Sequence, residues 1–137
     1  MANEIFIDTS GFYALLVQKD DRHKEATRIL KLAASKRRGF VTTDYVLDET
    51  ATLLKARGHR ALLQGYFDTI FSSSVCRVEW TDPESFQAVQ KYFLKHVDQA
   101  WSFTDCLSFR VMKERRLHES LTKDEHFEQS GYIVLLK

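Results

Sequence analysis

Residues 4–16 read EIFIDTSGFYALL, and the fold turns on how this stretch divides. Glu4 to Asp8 form a short apolar run that closes on an acid. From Ser10 onward, Phe12, Leu15 and Leu16 fall at helical spacing. A buried strand that passes directly into a helix opens a β-α unit. Repetition of that unit builds a parallel sheet covered by helices on both faces. Such sheets place their sites outside the carboxyl ends of the strands, which singles out Asp8 as the first candidate.

The alternation continues along the chain. Asp20 or Asp21 is placed to cap a second helix, which carries Ala26, Ile29, Leu30 and Ala33 and stops in the run Lys36-Arg37-Arg38 before Gly39. GFVTTD (39–44) reads as a second strand. DYVLDETATLLKAR (44–57) reads as a third helix, with Val46, Leu47, Thr50, Leu53 and Leu54 inward, and helix resumes after Gly58 over 59–73. VCRVEW (75–80) alternates as a third strand. Asp82-Pro83 opens a helix running through 85–97, and SFTDCLSFRVMKERR (102–116) supplies another. SLTKD (120–124) and YIVLL (132–136) are the fourth and fifth strands. With one Pro, five Gly and no repeat or low-complexity tract, residues 1–137 are expected to form a single domain of ordinary size.

Composition narrows the class. A hydrophobic fraction of 44% with 28% charged residues is that of a globular protein. The net charge of +1 does not mark a nucleic-acid binder, so any such role must come from local clusters. Those clusters are Lys36 to Arg38, Arg57 to Arg60 and Arg110 to Arg116. Cys76 and Cys106 lack metal-ligand spacing and read as reduced thiols. No signal peptide or membrane-spanning stretch is visible, so a cytoplasmic location away from membranes is expected.

Four acids stand at strand ends or helix starts. Asp8 would serve as a helix cap. Glu49 borders the apolar stripe of its helix, whereas Asp48, about 100° around, faces solvent. Asp105 forms a Ser-x-x-acid capping box with Ser102, and Asp124 follows Thr122 in a turn, where Thr122 and Glu125 could form a second box. Each has a local structural explanation. Together, four converging carboxylates repel strongly, and a hard cation such as Mg²⁺ or Mn²⁺ would relieve that repulsion. Thr9 and Thr104 could orient a carboxylate or simply cap, with the cap favoured for Thr104. His126 is expected to be exposed in its turn and outside the site. A basic rim is expected from Arg110, Lys113, Arg115 and Arg116, on the helix that starts near Asp105.

These segments resemble the PIN-domain family, and within it the VapC-like toxins of toxin–antitoxin pairs. FIDTSGFYALL is similar to the family's opening strand with Asp8, and TDYVLDETATLL to the helix carrying Glu49. FTDCLSF resembles the segment with Asp105, and LTKDEHF the Thr-x-Asp-x-x-Phe segment of Thr122, Asp124 and Phe127. The resemblance implies a three-layer α/β/α sandwich around a central, mainly parallel five-stranded sheet. It implies Mg²⁺- or Mn²⁺-dependent hydrolysis of single-stranded or looped RNA, with Asp8, Glu49, Asp105 and Asp124 as catalytic metal ligands. It also implies a small antitoxin partner and a homodimer. The family includes RNA-processing nucleases that are not toxins and, as a further alternative, non-catalytic interaction modules.

Overall fold

A computed structural model describes residues 2–137. The strands are β1 (Ala2–Ile7), β2 (Arg38–Thr43), β3 (Cys76–Glu79), β4 (Glu119–Leu121) and β5 (Ile133–Val134). The helices are α1 (Thr9–Leu16), α2 (His23–Ser35), α3 (Asp44–Ala56), α4 (Leu63–Ser72), α5 (Pro83–Lys95), α6 (Phe103–Glu114) and α7 (Glu125–Gln129), with a 3₁₀ turn at Arg60–Leu62. The sheet order is β3-β2-β1-β4-β5, and the paired strands are parallel throughout. The expected parallel α/β sandwich is therefore the observed fold.

β1 is central, and consecutive residues Ile5, Phe6 and Ile7 are all buried. A strand covered on both faces reads as a continuous apolar run rather than an alternating one. From β1 the chain steps through β2 and β3 to one edge, then returns on the other side as β4 and β5. The order reverses between β1 and β4, so a crevice opens at their carboxyl ends, where Asp8 and Thr122 emerge.

The start of α1 lies hard against the end of β4. A Cβ at Gly11 would sit 2.0 Å from the Leu121 carbonyl oxygen, so only glycine permits this approach. Farther along, Phe127 is fully buried between Phe6 (centroids 6.1 Å apart) and Phe109 (5.1 Å, edge-on). That anchor ties the short α7 to the core and fixes the turn before it.

Several boundaries differ from the sequence reading. α2 begins after Arg22 with no side-chain cap, because the Asp20 carboxylate instead closes a turn onto the Arg22 N–H. It ends at Ser35, and Arg37 (φ 55°) takes the left-handed position, leaving Gly39 inside β2. Thr122 and Glu125 form no capping box, since Asp124 itself caps α7. Cys76 and Cys106 are free thiols, and burial pushes both up to about 11. Among the described residues no helix is long and apolar enough to cross a membrane.

The Gly11 contact makes a test of this packing. Gly11→Ala must push α1 off β4 or distort backbone, and overpacking at this level costs about 3 kcal/mol. A thermal melt should show Tm lowered by roughly 10 °C. An unchanged Tm would mean that the approach of α1 to β4 is not a constraint.

Candidate metal centre

Asp8 leaves β1 at its carboxyl end and caps α1, its Oδ1 accepting from the Gly11 N–H at 3.2 Å. The same carboxylate accepts from Ser10 Oγ (3.0 Å) and, through Oδ2, from Thr122 Oγ1 (2.9 Å). Thr122 in turn accepts from the Asp124 N–H at 2.9 Å. These hydroxyls tie the ends of β1 and β4 together. Asp8 is only 7% exposed, and burial, helped by the nearby Asp124 charge, pushes it up to about 7 against the pull of its hydrogen-bond donors.

Glu49 reaches the same crevice from α3, where its Oε1 accepts from Thr9 Oγ1 at 2.6 Å. Thr9 therefore orients a carboxylate, one of the two roles left open for it. The cleft lined by Asp8, Glu49, Asp105 and Asp124 has a volume of about 160 Å³, and Asp48 does not line it. All four predicted acids are thus brought to one place. A fifth acid, Asp20, joins them from the loop after α1. Its spacing offered no signal, because its turn onto Arg22 looks in sequence like ordinary helix capping.

Asp105 sits in the first turn of α6 within a complete capping box with Ser102, as its spacing predicts. Thr104 is not the cap. His126 corrects the sequence reading: it is half-buried, not free in a turn, and contacts two of the four acids. Its Nδ1 lies 2.9 Å from Asp105 Oδ2 and 3.3 Å from Asp124 Oδ1. Burial of Phe127 one residue later turns the imidazole inward. Ligand atoms of Asp105, Asp124 and His126 all fall within 4.8 Å of one another. A donor set of carboxylates with one imidazole fits a hard or borderline divalent cation, of the Mg²⁺ or Mn²⁺ kind.

The basic rim is also corrected. α6 runs away from Asp105, so Arg110, Lys113, Arg115 and Arg116 lie toward or past its far end. Arg110 stands 3.3 Å from Glu114, and Arg115 pairs with Glu79. Among the described residues the cations lining the acidic cleft are instead Lys123 and Arg57. Arg57 rests on the Tyr13 ring, 5.0 Å from its centroid.

This constellation, at the switch point of a parallel sheet, defines a class. Residues 5–131 match the profile of the PIN domain, and the chain belongs to that family. It is 35% identical to the 23S rRNA-specific endonuclease VapC20 of Mycobacterium tuberculosis over 130 residues, covering 94% of this chain and 95% of the relative. It is 31% identical to a VapC ribonuclease of Archaeoglobus fulgidus over 115 residues, covering 81% of this chain and 71% of that one. The crystal structure of M. tuberculosis VapC20, a sarcin–ricin loop cleaving toxin, superposes with a TM-score of 0.83 at 32% identity, over 95% of this chain and 97% of that one. The chain is accordingly a nuclease of the VapC type.

The raised Asp8 makes metal-free stability depend on pH with a definite sign. An acid raised from 3.8 to about 7 in the fold contributes stability that is fully present below pH 3.8. That contribution is lost as pH rises through about 7. Asp8→Asn lacks this titration. In EDTA, the Tm of wild type relative to Asp8→Asn should fall steadily between pH 5 and roughly pH 8. A pH-independent difference would contradict the burial argument.

Proposed function

We propose that this chain is a Mg²⁺- or Mn²⁺-dependent endoribonuclease cleaving single-stranded or looped RNA, and that it is the toxin of a toxin–antitoxin pair. Asp8, Glu49, Asp105 and Asp124 are its metal ligands and catalytic carboxylates, acting within one domain spanning residues 1–137. The observation that carries the reading is the convergence of these four carboxylates, two from helices α3 and α6 and two from the segments that follow β1 and β4, into one small cleft. Like charges about 4 Å apart repel by about 4 kcal/mol at an effective dielectric near 20, and among the described residues no Lys or Arg forms an ion pair with these four acids. A divalent cation would supply charge neutralisation and Lewis acidity toward the scissile phosphate and the attacking water.

The chain's own residues prepare that site. Thr9 aims Glu49, and Ser10 with Thr122 aims Asp8. His126, placed between Asp105 and Asp124, holds both carboxylates in one orientation. Lys123 and Arg57 stand where they can draw a phosphate to an otherwise acidic mouth. The similarity to VapC20 makes a ribosomal RNA stem-loop of the sarcin–ricin kind the first substrate to test. A small antitoxin, a homodimeric state and a cytoplasmic location are part of the same proposal, and light scattering tests the dimer.

Two measurements test the core of it. Asp105→Asn and Asp8→Asn should lower Mn²⁺-dependent cleavage of a labelled stem-loop RNA by at least about a hundredfold while the circular dichroism spectrum stays native. Activity near wild type in both variants would refute the assignment. Separately, Mn²⁺ should raise the wild-type Tm by mass action, equivalent to about 2.7 kcal/mol at a hundredfold excess over Kd. Asp124→Asn should respond less. A wild-type melt unmoved up to millimolar Mn²⁺ would remove the physical support for a carboxylate metal site.

A further inference from the structure

A second, open cleft of about 480 Å³ is lined by Asp44, Tyr45, Thr81, Asp82, Phe86 and Gln87 together with Pro83. Its floor is aromatic. Phe86 packs on Phe103 with ring centroids 4.9 Å apart, Tyr45 stacks on Phe103 at 5.9 Å and 30°, and Tyr45 meets Phe86 at 6.4 Å. Phe86 nevertheless remains 41% exposed. An aromatic ring supported by two others yet open to solvent is a rigid platform and not a core element.

The placement of this platform ties it to the carboxylates. Tyr45 and Glu49 are four residues apart on α3, so they share a face about one turn apart. Phe103 and Asp105 both stand in the first turn of α6. Tyr45 thus stands one turn from Glu49 along α3, and Phe103, on which it stacks, opens the helix whose first turn holds Asp105.

From this juxtaposition we infer that the Tyr45–Phe86–Phe103 cluster is a nucleobase subsite, on which an unpaired base of the RNA next to the cleaved phosphodiester stacks. The inference rests on the ribonuclease reading above. The chemistry of the rim favours a base over a backbone phosphate: Asp44 and Asp82 carry negative charge, while Gln87 and Thr81 offer neutral polar groups. Both Asp44 oxygens accept from Thr81, from its N–H at 3.1 Å and its hydroxyl at 2.7 Å, so this wall is held in place before any ligand arrives. Stacking on such a ring needs no particular base and requires that the nucleotide be unpaired. The subsite would thus reinforce a preference for loops over duplex.

The experiment uses the full chain and a fluorescein-labelled RNA stem-loop, with a series of copies carrying one abasic site at successive loop positions. Binding is read by anisotropy in EDTA, and cleavage by KM and kcat with Mn²⁺. Phe86→Ala should weaken Kd and raise KM roughly tenfold while kcat changes less than about threefold. Phe86→Trp should restore binding. Phe86→Leu, which keeps the packing on Phe103 without a stacking face, should behave like Phe86→Ala. One abasic position should reproduce the loss in the wild type and add nothing further in Phe86→Ala. Unchanged Kd in Phe86→Ala, full binding by Phe86→Leu, or additive losses with every abasic copy would overturn the subsite. So would conversion of a dimer to a monomer by Phe86→Ala in light scattering, which would make the face a contact between copies of the chain. RNA bound in EDTA with this pattern but left uncut with Mn²⁺ would support the subsite and count against the nuclease reading alone.

Discussion

The site depends on one close approach, that of the first turn of α1 to the end of β4. With no side chain at Gly11, the backbone of α1 comes down onto the Leu121 carbonyl, and the hydroxyls of Ser10 and Thr122 meet at 3.1 Å. Asp8 is then buried within a ring of donors contributed by the first turn of α1 and by Thr122 just after β4. Without that contact the two halves of the sheet would still pair, but the acid that ends β1 and the turn that follows β4 would be separate surface features. Burying a carboxylate is costly unless its oxygens are satisfied. The three donors around Asp8 reduce this cost, and its upward shift shows that they do not remove it.

The remaining acids illustrate why a local role does not exclude a functional one. Asp8 and Asp124 each cap a helix, and Asp105 completes the capping box of α6 by accepting from the Ser102 N–H. A cap uses one or two lone pairs of a carboxylate and points it at a helix N-terminus, where negative charge is favoured. The other lone pairs remain available, and the capping bonds hold the group rigid. Three helices that begin at the same edge of a parallel sheet therefore deliver three pre-oriented carboxylates to one crevice. The His126 ring nitrogen reaches both Asp105 and Asp124 and links the two carboxylates.

Charge and aromatic residues are distributed along the crevice with some order. The acids occupy the switch point between β1 and β4, with Lys123 and the Arg57–Tyr13 pair at its mouth. Of the cations concentrated in sequence from Arg110 to Arg116, Arg110 and Arg115 are engaged locally, by Glu114 and Glu79. Attraction of a polyanion to this protein accordingly rests on a few residues at the mouth and on whatever cation the carboxylates hold, rather than on a broad basic surface.

By itself the sequence determined the class of fold and singled out four acids that the structure brings to one cleft. The apolar run of β1 is long enough to be a covered strand, and caps and strand ends are properties of neighbouring residues that periodicity and side-chain chemistry reveal. It was less reliable where two local solutions have nearly equal energy. Asp20 as a cap or a turn, Gly39 as a helix stop or a strand residue, and the exact ends of β4 and β5 fall in that class. Only the tertiary structure decided that Asp20 joins the cleft, that His126 meets Asp105 and Asp124, that Thr9 serves Glu49, and that Arg57 rather than the α6 cations lines the mouth. The reason is distance along the chain. Thr9 and Glu49 are separated by 40 residues, Asp105 and His126 by 21, and Asp8 and Thr122 by 114. Pairings of that kind are set by how strands order in the sheet and how helices pack across it, and no window of sequence contains both partners.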